Sequence, residues 1–457
     1  MVVGAGTAGC VVAATLSDDP ANEVVLLESG DDRWAGNRPA AVTSLDWSGV
    51  FDEPDLWWPG LVATRRSTEQ TVDYLQGRGV GGSSSVNGML ALPGLPSDYD
   101  RWLRVHGCVG WSWNDVAPRF ARLRAHCRQA SSSELGPLDR MLARAAQDLE
   151  LAVDIDLWEP GDGMGRAWLQ AADDHRRSSA ELWLDPARWR SNLIVRARAE
   201  VDRLVLDDDR CRGVQLGTGE VVLSDHVVLC AGAIGSPVIL MRSGVRRPGL
   251  GANLREHPSL HVTVTHQHAA RPGGTPPIAS VLRLSSSLGR GDLHVMPLGV
   301  PDDAGVGRLI VACMQTTSQG WVAVDRAGPG AIPRIHTNEL STADDRTVLA
   351  DARAWLERLL ATPTLSTDLD EVGDVVVDGV LYHAAGTCRM GPPSDPMAVV
   401  RTDGRVAGLD RVHVMDASVF PDLPAAGPHL AVVMLASRLA QGLRTSWATH
   451  PPQTHGE

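Results

Sequence analysis

Gly4, Gly6 and Gly9 stand in the order G-x-G-x-x-G within Gly4-Ala5-Gly6-Thr7-Ala8-Gly9, and an acid, Glu28, follows them. Those residue types at that spacing can hold a nucleoside diphosphate. Gly4 permits a tight turn, Gly6 lets the backbone approach a pyrophosphate, and Gly9 lets a helix pack close on a strand. Glu28 can accept from the hydroxyls of an adenosine ribose, and its charge disfavours the 2′-phosphate of NADP. Positioning them takes a strand, a helix whose N-terminus aims unpaired N–H groups at the phosphates, and a second strand ending at the acid. Met1 to Gly30 reads that way: a short strand before Gly4, a helix through Leu16, and a strand from Glu23 to Leu27. A glycine-rich turn of no function would need none of these flanking elements.

What the chain lacks bounds the remaining chemistry. It has no lysine, so a lysine nucleophile or Schiff base is excluded. Cys10, Cys108, Cys127, Cys211, Cys230, Cys313 and Cys388 are odd in number and form no C-x-x-C pair. This fits buried thiols in a reducing compartment, hence a cytoplasmic protein, and argues against a disulfide framework or a zinc site. A net charge of −13 repels phosphate backbones and anionic lipid, so nucleic acid and membrane surfaces are poor partners. Met1 to Leu16 imitates a signal peptide, but it has no basic start and is rich in glycine. No uncharged run is long enough to span a bilayer. With 457 residues and 43% apolar content, the chain can build two or three domains, or one large domain with a second inserted.

After Glu28 the segment Asp31 to Ser67 is irregular and Trp-rich, and the Gly/Ser cluster Gly77 to Met89 reads as a loop whose backbone approaches a ligand. Ser112 to Leu123 is expected to be helical, with Val116, Phe120 and Leu123 on one face, and Leu135 to Leu149 is a second amphipathic helix. Between Asn192 and Cys230 the period switches to two. Leu193 to Val195, Glu200 to Leu206, Arg212 to Leu216 and Val221 to Leu223 are expected to form a meander. Val227 to Gly232 reads as a buried parallel strand returning to the first sheet, with a helix from Gly235 to Met241. Pro258 to Asp374 reads as a second domain with a helix from Ala343 to Leu360 and Gly/Pro-rich loops near Arg271 to Pro277 and Ala327 to Pro333.

Taken in order, Gly77 to Met89, Gly232 to Val245, Leu250 to Pro258, His383-Ala384-Ala385-Gly386-Thr387-Cys388-Arg389-Met390-Gly391, and Asp416 to Met434 resemble the glucose-methanol-choline (GMC) oxidoreductases over essentially the whole chain. The resemblance implies an α/β fold: a Rossmann-like FAD-binding domain (1–118, 190–258 and 375–457) with an inserted α+β substrate domain (119–189 and 259–374) of antiparallel sheet and helices. It implies FAD, noncovalent because Val86 stands where flavinylated members place a histidine. Gly4, Gly6, Thr7, Ala8, Gly9 and Glu28 would meet the ADP moiety. Arg78, Gly81, Gly82, Ser83, Ser84, Asn87, Gly88 and Met89 would wrap the flavin and its pyrophosphate. Val201 would give backbone contacts to adenine, Ala231 and Gly232 would line the cofactor, Asp416 and Ala417 would run along the ribityl and diphosphate, and His429 and Leu430 would meet the flavin.

The resemblance also makes His383 the active-site base and puts the second catalytic position on His429, when Pro421 to Pro424 is aligned with the family's proline-bounded loop. His257, in Glu256-His257-Pro258, is read as structural. An alcohol carbon gives hydride to flavin N5 readily only if its hydroxyl proton leaves too, and a neutral imidazole suits that task. A second donor can hold the alkoxide. The expected reaction converts a primary or secondary alcohol to an aldehyde or ketone, with oxygen or a redox carrier reoxidising the flavin. A hydroxynitrile-lyase-like reaction and a natural-product tailoring oxidation are the alternatives. Two further departures stand out. Only three residues precede the glycine loop, as if the native start lay upstream or the sheet edge were truncated. Gly427-Pro428-His429-Leu430 replaces the Asn-rich stretch of many members. With Gly386-Thr387 and the compact length, this loop resembles the branch associated with mycofactocin, a peptide-derived redox carrier. Substrate identity and oligomeric state stay open.

Overall fold

The computed structural model describes residues 1–33, 38–66, 71–267, 273–299, 305–324 and 331–449. Parts of the Asp31 to Ser67 segment and of the two Gly/Pro-rich loops therefore lie outside the described residues.

Its first layer is a five-stranded, wholly parallel sheet in the order Val412–Val414, Val227–Leu229, Val2–Val3, Val24–Leu27, Leu193–Arg196. The three central strands are short apolar runs with most side chains buried, as expected where helices cover a parallel sheet. Helix Thr7–Leu16 packs against helix His429–Thr449, so the last segment of the chain completes the layer the first one begins. Leu193–Arg196 does not join the meander expected for it. It is the edge strand of the parallel sheet, pairing Val24↔Leu193 through Leu27↔Arg196, and its Ile194 is exposed. The meander holds three antiparallel strands, Val201–Asp207, Arg210–Leu216 and Val221–Leu223. The helix after Val227–Leu229 begins at Gly232, earlier than expected, and runs to Arg242.

The second layer is antiparallel, with Pro258–Thr265, Val306–Cys313, Leu293–Gly299, Ser280–Leu284 and Gly163–Arg166 as successive neighbours. Helices Pro137–Asp148 and Ala343–Leu360 bury Met141, Leu142, Val348, Ala352 and Leu356 against Leu260, Val262, Leu309 and Val311. Two separate stretches of chain thus build one α+β unit. A third, mixed sheet contains Ala252–Leu254, Gly320–Ala323, Arg334–His336, Val62–Thr64 and Thr71–Asp73. The Asp31 to Ser67 segment is therefore not wholly irregular: Val62–Thr64 pairs parallel to Arg334–His336. Leu61, Ala63, Tyr74 and Val322 pack on Ile234 and Val238 of helix Gly232–Arg242, fixing this sheet to the nucleotide half. Among the described residues no helix is long and apolar enough to cross a membrane, and all seven cysteines are unpaired.

Candidate active site

The three N-terminal glycines divide the labour their spacing implies. Gly4 has φ +92°, and a Cβ there would lie 2.7 Å from the Cys230 carbonyl oxygen. A Cβ on Gly9 would sit 1.7 Å from Gly4 O, so this position admits no side chain. Gly6 differs: the nearest atom to its would-be Cβ is Gly82 Cα at 4.0 Å, leaving the backbone open toward a ligand. Thr7 and Ala8 form the first turn of the helix, which has no side-chain cap and no acid in that turn. Its amide groups are free for a phosphate.

The Gly77 to Met89 loop comes onto this cradle from the other side. Gly81 N–H donates to Ala5 O (2.7 Å), and a Cβ on Gly82 would meet Gly6 Cα at 2.7 Å, so the two loops touch backbone to backbone. Glu28 is buried between them. Its carboxylate accepts from Ala5 N (2.8 Å), Gly30 N (2.9 Å), Gly79 N (3.1 Å) and Ser29 Oγ (3.1 Å). It therefore ties the two loops together, a task that spacing alone did not reveal. Arg78 lies over Trp58, donates from Nη2 to Ser29 O, and keeps Nε unpartnered. Ser83 Oγ accepts from Gly77 N, and Ser84 Oγ donates to Gly81 O (2.6 Å). Met89, at φ 62°, accepts from Gln170 N, and Gly88 faces the Trp47 indole nitrogen. Val201 is brought to the end of the Glu28 strand because Ala199 N–H donates to Glu28 O. Asp416 accepts from Gly232 N (2.9 Å), Ser236 Oγ (2.6 Å) and Ser418 N (2.8 Å), joining Ala231–Gly232 to Ala417. Burial pushes the Asp416 carboxyl pKa up. An open backbone at Gly6, an uncapped helix start and a free Arg78 Nε fit a dinucleotide diphosphate.

His383 is held by its backbone and its ring. Its N–H donates to both carboxylate oxygens of Glu256 (2.8 and 2.9 Å), and its Nδ1 lies 2.9 Å from Nδ1 of His257. Glu256 is buried, accepts from Tyr74 Oη (2.6 Å) and His257 N, and is pushed up to about 7 by that burial, against the pull of these donors. Burial lowers His383 to about 4 and lowers His257 well below the ordinary imidazole value, so both rings are neutral at pH 7. His257 is thus a direct partner of the candidate base as well as a buried residue of the frame. Its position in Glu256-His257-Pro258 was the available signal, but the partner lies 126 residues away.

His429 makes contacts of its own. It opens helix His429–Thr449, its Nε2 is bonded to Gln170 Oε1, and burial lowers it to about 4, aided by the charge of Arg176. No hydrogen bond joins His383 to His429 among the described residues. The backbone that faces the His383 ring is Gly427, whose would-be Cβ lies 3.5 Å from Cε1 and 3.6 Å from Nε2. Leu430 is buried beside it in sequence. Tyr74, Gln170 and Arg176 were not singled out by residue type or spacing, and Glu256 and Gly427 entered only as members of longer blocks.

Comparison with known proteins gives one answer. A family model described as GMC oxidoreductase matches residues 1–259, and its C-terminal counterpart matches residues 316–436. The chain is 31% identical to a GMC-type oxidoreductase of Rhodococcus erythropolis, over 96% of each chain. It is 29% identical to 5-(hydroxymethyl)furfural oxidase of Methylovorus sp., covering 97% of this chain and 98% of that one. Among solved structures, pyridoxine 4-oxidase from Mesorbium loti matches with a TM-score of 0.87 at 24% identity, covering 99% of each chain, which shows the shared fold.

Proposed function

The chain belongs to the GMC oxidoreductase family, whose cofactor is FAD, and on that premise we propose that it oxidises a small alcohol to the carbonyl compound with His383 as the general base. When bound, FAD supplies the hydride acceptor, N5 of its ring. The glycine cradle and Arg78 would hold its diphosphate.

The observation that carries the reading is the Nδ1 to Nδ1 contact of His257 and His383. Two neutral imidazoles sharing such a bond need one donor and one acceptor. The carbonyls of Met314 and Pro424 face the His257 ring. In the proposed tautomer the proton of His257 sits on Nε2, which makes no hydrogen bond within the described residues. His257 Nδ1 then accepts, His383 Nδ1 donates, and His383 Nε2 keeps its lone pair on the side of Gly427. That lone pair can take the hydroxyl proton as hydride leaves the carbinol carbon.

The test is anaerobic addition of primary and secondary alcohols to the FAD-loaded protein. Bleaching of the flavin band with formation of the carbonyl product is expected, and readmitted air separates an oxidase from a dehydrogenase. Turnover of a cyanohydrin with flavin oxidised throughout would point instead to a lyase.

A further inference from the structure

Arg176 is 1% exposed and forms no salt bridge among the described residues. Its Nη1 donates to Asn87 O (2.6 Å) and Asn87 Oδ1 (2.7 Å), with Ser84 O at 3.5 Å, while Nε and Nη2 have no partner. Burying an unpaired guanidinium is strongly unfavourable, and burial drags its pKa to about 9. The fold nonetheless fixes it, because Arg176 N–H donates to Thr43 O and Arg177 N–H to Gln170 O. Other unsatisfied polar atoms belong to this neighbourhood: Gln170 Nε2, His429 Nδ1 and Trp47 Nε1. These side chains are linked through Asn87, Gly88, Met89 and His429. A set of buried groups that are mostly donors, around one unpaired cation, is built for negative charge.

Oxidation of an alcohol makes such a charge. The carbinol carbon delivers a hydride, one hydrogen with two electrons, to the flavin ring, while the hydroxyl proton goes to His383. The ring therefore gains one net negative charge with no proton to cancel it. We propose that Arg176 is the counter-charge for the reduced flavin ring, a positioning residue that acts through the Ser84 to Asn87 loop and the pocket it shares with His429. This rests on the reading that places the flavin between Gly77 to Met89 and His429.

Two variants of the FAD-loaded protein test it by redox potentiometry. R176Q should keep FAD and show a two-electron midpoint potential about 30 mV lower or more, equivalent to a tenfold weaker hold on the reduced form, whereas R176K should stay near wild type. An unchanged potential in R176Q, an equal drop in R176K, or a folded R176Q without FAD would each overturn the proposal. A measurement on the wild type needs no variant to fold: sulfite adds to flavin N5 and leaves the ring anionic, so saturable bleaching by sulfite is expected, and a flavin that resists it would overturn the proposal. Sulfite reactivity and potential report on Arg176 even if no alcohol reduces the flavin, so failure of the alcohol reading is separately visible.

Discussion

Nδ1 of His257 lies 2.9 Å from Nδ1 of His383, and the Glu256 carboxylate receives the backbone N–H of both. One buried acid fixes the backbones, while the paired rings couple their tautomers, since one Nδ1 must donate and the other accept. On the proposed mechanism His257 is a positioning residue for a proton transfer that it does not touch.

H257A should fold, lower the rate of flavin reduction by about 10- to 100-fold, and alter its pH dependence, because His383 would lose the acceptor that fixes its free lone pair. H257N, whose amide oxygen can accept from His383 Nδ1, should recover part of the rate. Stopped-flow reduction of both variants across pH checks this. A uniform loss with an unchanged pH profile, no better in H257N, would mean His257 is merely part of the frame.

His383, lowered to about 4 by burial, is deprotonated and ready as a base well below neutrality. The rate of flavin reduction should therefore be flat from about pH 6 upward and fall only toward the acid side. An inflection near the ordinary imidazole value of about 6.5, lost in H383N, would contradict the buried environment described for this ring.

Gly427 faces the His383 ring with no side chain, at a contact distance a methyl group would just fill. Its φ is not in the left-handed region, so alanine should cost little stability, within about 1 kcal/mol. G427A and G427V should progressively raise KM for secondary alcohols relative to primary ones, by about tenfold for the larger change. Equal effects on both substrate classes would remove Gly427 from the substrate pocket.

The N-terminal βαβ unit was legible because its instructions are local: Gly4, Gly6, Gly9 and Glu28 all act within one unit. The block around Gly386-Thr387 drew His383 out of the sequence, and the fold sets that residue on Glu256 and His257. What stayed hidden depends on distant pairing. Leu193–Arg196 looks like a meander strand until it meets Val24–Leu27. Arg176 looks like any arginine of an Arg-rich chain until it is found without an acid among the described residues. The contacts of His429 were hidden too: it starts a helix just after Pro428, and its imidazole turns to Gln170.

His257, His294 and His413 are buried, and burial lowers all three, His294 to about 3 and His413 to about 4. A depressed histidine stays neutral when folded, while the unfolded chain takes up its proton near pH 6.5. Stability is thus full above about pH 7 and falls by about 1.4 kcal/mol per histidine for each unit of acidification below the unfolded value. Glu256, raised to about 7, opposes this with a single proton. Thermal unfolding should show Tm falling from about pH 7.5 to about pH 5.5, with a shallower slope in H294N. A Tm that rises on acidification would show that these rings are protonated in the fold.

The most direct test of the central claim compares wild-type and H383N proteins, both loaded with FAD, mixed anaerobically with an alcohol that reduces the wild type. H383N should retain FAD and be reduced about 100- to 10,000-fold more slowly. Reduction of H383N at the wild-type rate would show that His383 does not take the hydroxyl proton.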